Sequence, residues 1–482
     1  MDAIDGQSMK TNQVYKRMNN LNASHESPQN EPRRARGLFK LWDNLSLEKR
    51  EEYSRFYNSG TLILGRVAAS GLGYLTWLIT ARLFDAREVG IASGIVSAMM
   101  LCVQLALFGI GAAVIKTYPL HLDSPSRMIN TALNLIATAS LATAVLFLIF
   151  ARAFFSELNV VSALPLYAFL FLGINIFGAI NVLMDHVSIA IKRGDQVLTR
   201  NVLFGVITIA GVAVLPLLVE TTTSIAIVSA WAAAGFFACL LGAIQLFRSI
   251  PAYSYTPAIE KQTARQLIGI GLPNYLLTLA ERAPNWILPI IITEMLSPIE
   301  NARWYAVWMM AWVVFLVPIS VGQNLFAEIS HHPENFHRPL RLSIRNSLIG
   351  GSVAAALVIV LAPFMLGLLG KEYAVAGTTP LRILALAILP ITVIQMYYAV
   401  CRGTQRLREA TITGLACGAV GIAAATLAGI HYGLTGMAVA WLATQSIAAA
   451  WAGIRTAVLM RRSDQASARI VNPPDSSSQR SS

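Results

Sequence analysis

The sequence predicts an all-α polytopic membrane protein, with about twelve transmembrane helices in two parallel six-helix bundles. Three observations predict it. The 482 residues are 55% hydrophobic and only 13% charged, with a mean hydropathy of +0.57. That is the composition of a membrane chain, not of the roughly three soluble domains that length alone would suggest. Apolar runs of the ~20 residues a helix needs to cross a bilayer recur along the chain. Lys and Arg gather in alternate loops, as the positive-inside rule requires. The formal net charge of +12 belongs to those loops and to a basic N-terminal arm, so it points to no nucleic-acid partner.

Residues 1–37 are rich in Asn, Ser, Gln, Lys and Arg and read as disordered. From Leu38 to Tyr57, apolar residues such as Phe39, Leu41 and Trp42 mix with Lys40, Lys49 and Arg50. That fits either a short helix in the membrane interface or a solvated linker, so 1–57 is set apart as a cytoplasmic N-terminal segment. Spans near 58–82, 90–114, 129–151, 161–184, 201–219 and 224–247 form an N-terminal bundle over 58–247. A cytoplasmic linker, 248–267, leads to spans near 268–293, 304–327, 345–368, 380–400, 411–430 and 433–455, a C-terminal bundle over 268–455. The Ser-, Gln- and Arg-rich tail, 456–482, reads as disordered and cytoplasmic. Loops after even-numbered spans hold 14 Lys and Arg, those after odd-numbered spans 6, which places both termini in the cytoplasm. No signal-peptide pattern precedes the first span, which is expected to act as an internal, uncleaved one.

The seventh span is the candidate site. It is apolar from Ile268 to Thr293, yet Glu281 and Arg282 sit at its middle. A charge there costs at least ~2.5–3.5 kcal/mol on insertion scales, so an ionisable residue in the membrane is a functional candidate. Asn274, Thr278, Glu281 and Asn285 share one helical face, with Arg282 beside it. Two readings fit: a Glu281–Arg282 pair that locks helices together, or the wall of a polar transport cavity.

Two short matches suggest an internal repeat. Arg193-Gly194-Asp195-Gln196-Val197-Leu198 and Arg402-Gly403-Thr404-Gln405-Arg406-Leu407 share RGxQxL, 209 residues apart. Ile79-Thr80 and Leu83 echo Ile292-Thr293 and Leu296 at an offset of 213. Halves of six spans each would have the same orientation, with a substrate site between them. RGxQxL itself reads as a helix-end turn with basic headgroup anchors. The repeat equates the first span with the seventh, and the first carries Arg66, which either snorkels to the headgroups or faces the cavity. Trp304, Trp308 and Trp312 recur every four residues on the eighth span, a face for stacking on sugars or for packing.

Other classes are excluded. No GxxxxGK[ST], HExxH, CxxC or GxSxG motif appears, and no soluble stretch is long enough for an active site, so the chain is not expected to be an enzyme. Cys102, Cys239, Cys401 and Cys417 lie in or beside apolar segments without paired spacing and imply neither disulfide nor metal. A membrane-embedded glycosyltransferase or polymerase would need larger extracytoplasmic loops than the roughly ten residues found here.

Several motifs resemble a known family. Thr80-Ala81-Arg82-Leu83-Phe84, Glu88-Val89-Gly90 and Phe108-Gly109-Ile110-Gly111-Ala112-Ala113 resemble the opening of the polysaccharide-repeat-unit (Wzx-type) flippases of the multidrug/oligosaccharidyl-lipid/polysaccharide exporter superfamily. Leu369-Gly370-Lys371-Glu372-Tyr373 with Leu381-Arg382-Ile383-Leu384, and Gly433-Leu434-Thr435-Gly436-Met437-Ala438, resemble later segments of the same family. The resemblance covers about 58–455. It implies two six-helix bundles around a cationic cavity and alternating-access transport of polyprenyl-diphosphate-linked oligosaccharide across the bacterial inner membrane, for surface polysaccharide or exopolysaccharide synthesis. Partners would be the lipid-linked oligosaccharide, membrane lipid, and polysaccharide polymerase and export components. Arg66 and Arg282 would contact the diphosphate or acidic sugars, with Glu281, Asn274, Thr278, Asn285 and Trp308 as further cavity candidates. No cofactor is implied. Glu281 would either balance Arg282 or take up H⁺ or Na⁺, although relatives carry an Asp about where this chain has Asn285. A multidrug or small-molecule exporter of the same superfamily is the alternative, and a peptidoglycan-precursor flippase would normally have further spans.

Overall fold

The computed structural model describes residues 47–219, 222–331 and 336–471. Among them no strand occurs. The first half contains α1 (Leu47–Leu83), α2 (Ala86–Leu107), α3 (Ile110–Thr117), α4 (Pro125–Phe154), α5 (Val160–Ala163), α6 (Pro165–Ala190), α7 (Gly194–Val219) and α8 (Ser224–Ser249). The second contains α9 (Lys261–Met295), α10 (Pro298–His331), α11 (His337–Leu369), α12 (Lys371–Leu386), α13 (Ile388–Gly403) and α14 (Leu407–Val471). Pro125 and Pro165 open their helices at the position where a missing N–H costs nothing. α14 passes through Gly433, whose φ of 63° and ψ of −161° break the helical geometry in a region that glycine alone visits freely.

Nine described helices are long and apolar enough to cross a membrane, or ten with the α12–α13 pair, which bends by 44°. A count of twelve adds α9, whose middle is too polar for that test, and divides α14 at Gly433. The second predicted span is broken too, at Phe108 and Gly109, both in the left-handed region. The helices run into the outer segments. α1 begins at Leu47, inside the 1–57 segment, and α14 stays helical to Val471, well into the expected disordered tail. The expectations for 1–46 and 472–482 lie outside the described residues.

The halves repeat. α2 and α10 start at 86 and 298, α4 and α11 at 125 and 337, α7 and α14 at 194 and 407. These offsets of 212 and 213 match the Thr80–Thr293 echo, not RGxQxL. α6 and α13 end in the same left-handed cap, with Lys192 (φ 58°) and Gln405 (φ 59°) as cap residues. The next amide of each, Arg193 N–H or Arg406 N–H, closes on the carbonyl five residues back, as in a Schellman motif. Arg193-Gly194 therefore opens a helix while Arg402-Gly403 closes one, so the RGxQxL match is out of register.

α2 is the central helix: 78% of its membrane window is buried, against 17–50% for the other candidate spans. It packs on α4, α6 and α8 in its own half and on α9 and α10 in the other. Contact there is backbone to backbone. A Cβ on Gly90 would lie 1.7 Å from the Pro298 carbonyl oxygen, and one on Gly109 would lie 2.4 Å from that of Gly271. The linker is stapled to α4. Asn130 donates to the Ser254 carbonyl (2.7 Å), and Asn134 to those of Thr256 and Ala258. The Tyr253 and Tyr255 hydroxyls donate back to the same two asparagines. Burial pushes the Tyr253 phenol up to about 12, so it remains a donor at neutral pH.

One end of the seam is closed by polar contacts. Glu294, at the end of α9, accepts hydrogen bonds from the backbone N–H groups of Ser156 (2.7 Å), Glu157 (3.2 Å) and Leu158 (2.6 Å) in the other half. Buried Asn301 donates to the Gly90 carbonyl and Ser93 Oγ, and Arg82 donates to the carbonyls of Gly367 and Leu368. Glu294→Ala leaves three amides without their acceptor. Hydrogen bonds to a charged group contribute about 1.5–3 kcal/mol each, so the population open at this end should rise at least tenfold. The readout is the rate at which a water-soluble maleimide modifies Leu158→Cys in a chain lacking the four native cysteines. Equal rates with and without Glu294 would count against the clasp.

Candidate functional site

α9 carries three internal prolines, Pro273, Pro284 and Pro289. Each removes an N–H from the helix ladder and frees the carbonyl four residues back. Pro284 frees that of Ala280, next to Glu281. From Glu281 to Glu294 is thirteen residues, about 20 Å of helix, so the charged centre and the clasp lie well apart along the membrane normal.

Residues on opposite faces of α9 meet different partners. Gly271 and Tyr275 meet the first half, where the Tyr275 hydroxyl donates to the Gln104 backbone carbonyl and side chain. Arg282 continues that face, about two turns beyond Tyr275 and three beyond Gly271. Glu281 turns toward α13, where Arg402 Nη2 lies 2.9 Å from its Oε1. The two side chains are 11% and 15% exposed. Glu281 thus pairs with Arg402 and not with its neighbour Arg282, because consecutive helical residues point about 100° apart. RGxQxL was expected to place its arginines at the headgroups; Arg402 instead reaches back into the bundle.

Glu281 and Arg282 line a pocket of ≈ 700 Å³, open mouth included, between α9, α10, α13 and α14. Asn285 and Trp308 line it as well, and Trp308 Nε1 donates to Asn285 Oδ1 at 3.1 Å. Trp308 stacks on Trp304 and meets Trp441 edge-on, with centroids 5.6 and 5.2 Å apart. The remaining polar lining comes from Gln395, Tyr398 and Gln445.

Four of the seven expected residues therefore meet here: Glu281, Arg282, Asn285 and Trp308. Asn274 and Thr278 do not line the pocket. Asn274 is exposed, and the Thr278 hydroxyl bonds back to its carbonyl. Arg66 is exposed on α1, in the other half, within Coulombic range of Arg282. Among the described residues neither Arg66 nor Arg282 makes a hydrogen bond or ion pair. Sequence reasoning missed Arg402, Tyr398, Trp441 and Gln445. A signal for Arg402 existed: a buried acid whose only nearby cation is the next residue must find its partner on another helix.

Residues 56–323 match the family described as polysaccharide biosynthesis protein. No curated protein matches the chain. Among solved structures, the chain is similar to a multidrug resistance MATE family transporter of the MOP superfamily in its outward-facing conformation (TM-score 0.61, 12% identity, 86% of this chain and 96% of that one). It is similar to the inward-facing conformation of such a transporter (0.59, 16%, 84% and 96%). A third is a MOP superfamily transporter from Pyrococcus furiosus Vc1, for which reverse polarity of the binding pocket is said to suggest a different function (0.59, 13%, 85% and 96%). At these identities the likeness is one of fold.

Arg402→Ala would strand a nearly buried carboxylate, which costs roughly 3 kcal/mol or more. Thermal unfolding in detergent should show a clear loss of stability. Glu281→Gln combined with Arg402→Ala should recover most of it, and a double variant no better than the single one would disprove the pairing.

Proposed function

The chain belongs to the polysaccharide biosynthesis protein family, and we propose that it flips polyprenyl-diphosphate-linked oligosaccharide across a bacterial inner membrane by alternating access. It is a multi-pass membrane transport protein with the fold of MOP superfamily transporters. The finer reading rests on one observation above all: among the described residues the guanidinium of Arg282, on the wall of the pocket, has no hydrogen-bonding partner. Arg66 and Arg402 lie within Coulombic range of it, and the one nearby carboxylate, Glu281, is already matched by Arg402. The site is left with two positive charges in excess. A diphosphate diester carries two negative ones, and guanidinium binds phosphate oxygens in a two-bond fork. Trp308, Trp312 and Trp441 add aromatic faces for sugar rings.

In this reading the headgroup crosses through the polar interior while the polyprenyl tail stays in lipid, which avoids taking a charged diphosphate through hydrocarbon. The Lys and Arg bias puts the Glu294 end outside and the Arg402 end in the cytoplasm, where the cargo is made. The export partners would be a polymerase and the machinery that follows it. Glu281 is the residue that would exchange H⁺ or Na⁺. Export of a cationic drug is the second reading, favoured by the aromatic walls around an acid. Arg402 already occupies that acid, which weighs against it.

Reconstituted vesicles loaded with lipid-linked oligosaccharide test both. Losing one guanidinium–phosphate contact costs about 1.5–3 kcal/mol, so Arg282→Ala should lower flipping by ten- to a hundredfold, with Arg66→Ala in the same direction. Since Arg282 has no partner to strand, stability should hold. Undiminished flipping in both variants, or dye efflux that Arg282→Ala improves, would favour the drug reading.

A further inference from the structure

We propose that Arg402 is a third arginine of the anion site, held by Glu281 while the site is empty and given up to the diphosphate when cargo enters. This rests on the diphosphate reading above. The chain contains two kinds of arginine pair. Arg455 grips Glu409 in a fork, Nε to Oε1 at 2.6 Å and Nη2 to Oε2 at 3.0 Å. Arg200, 3% exposed, is held by Asp185, Gln245 and Ser188 together. Arg402 has a single bond, from Nη2 to one oxygen of Glu281. Among the described residues its other donors have no partner, and the second carboxylate oxygen accepts nothing. One bond where a fork is available marks a contact that is easily exchanged.

The position suits exchange. Glu281 is on the pocket wall, Arg282 follows it in sequence, and Arg402 and Arg66 both act electrostatically on Arg282. A diphosphate drawn in by Arg282 and Arg66 therefore arrives within reach of the third guanidinium and offers it more oxygens than Glu281 does. Glu281 cannot stay ionised and alone in this setting. When Arg402 turns away, the carboxylate oxygen it leaves takes up a proton from the bulk solvent that reaches the open pocket. The titratable and charged groups set against Glu281 are Arg282 on its own helix and Tyr398 and Arg402 from α13; Cys417 from α14 lines the same pocket, and Arg66 across the seam acts on Arg282. α10 presents aromatic and aliphatic side chains there, with none that titrates. No other carboxylate lines the pocket.

The test is calorimetric binding of a farnesyl diphosphate sugar, a diphosphate diester whose two negative charges do not change between mildly acidic and mildly alkaline pH, to the full chain in detergent. Wild type should bind more tightly at mildly acidic than at mildly alkaline pH. Glu281→Gln, which mimics the protonated acid, should bind roughly tenfold more tightly than wild type at alkaline pH, an ordinary size for such a coupling, and should lose the pH dependence. Adding Arg402→Ala to Glu281→Gln should abolish the gain without stranding a charge. Thermal unfolding of each variant checks that it is folded. If wild type binds no farnesyl diphosphate sugar, the diphosphate reading goes and the exchange with it. If wild type binds but Glu281→Gln gains nothing, or gains equally without Arg402, only the exchange is overturned.

Discussion

A carboxylate inside a bilayer needs a cation, and the second half of this chain is arranged around meeting that need. Glu281 cannot pair along its own helix with Arg282, so Arg402 supplies the charge from the end of α13. The pair ties α9 to α13 at the same level as the tryptophan cluster of α10 and α14. Helices that would otherwise close on one another by apolar packing leave room there instead. The pocket follows from the pair: polar groups that need partners, and rings too large to interdigitate, keep the four helices from sealing.

The same helix serves the other half by different means. Near Glu294 its contacts are hydrogen bonds to backbone, and at Gly271 and Gly109 they are bare backbone on backbone. The backbone contacts at Gly271 and Gly109 need no rotamer freedom and no desolvated charge. They suit a surface that parts and rejoins better than an interlocked apolar core would.

Much of this was legible in the sequence, for identifiable reasons. Span length and loop charge are set by the bilayer itself, so fold class and the oddity of α9 could be read without a structure. Arg282 and Asn285 were found because a charge or amide inside hydrocarbon is conspicuous. Arg402 was not, since counting it among loop cations assumed that it faces headgroups; the side chain is long enough to do the opposite. RGxQxL misled because two helix ends can share residues while using them on opposite sides of the turn, and only cap geometry reveals which. Trp441 and Gln445 lie on a helix with no polar pattern, and only packing brings them to α9.

The linker has the further effect of dividing α9. Asn130 and Asn134 fasten residues 254–258 to α4, and Thr131 receives the Glu260 N–H just before α9 begins. In an alternating-access cycle the first turn of α9 would therefore travel with the first half, and Glu281, tied to Arg402, with the second. Rocking of one half against the other cannot be absorbed by slack in the connection. It falls on the stretch from Lys261 to Glu281, where Pro273 interrupts the ladder. α9 is in this sense a crankshaft, driven at one journal and loaded at the other.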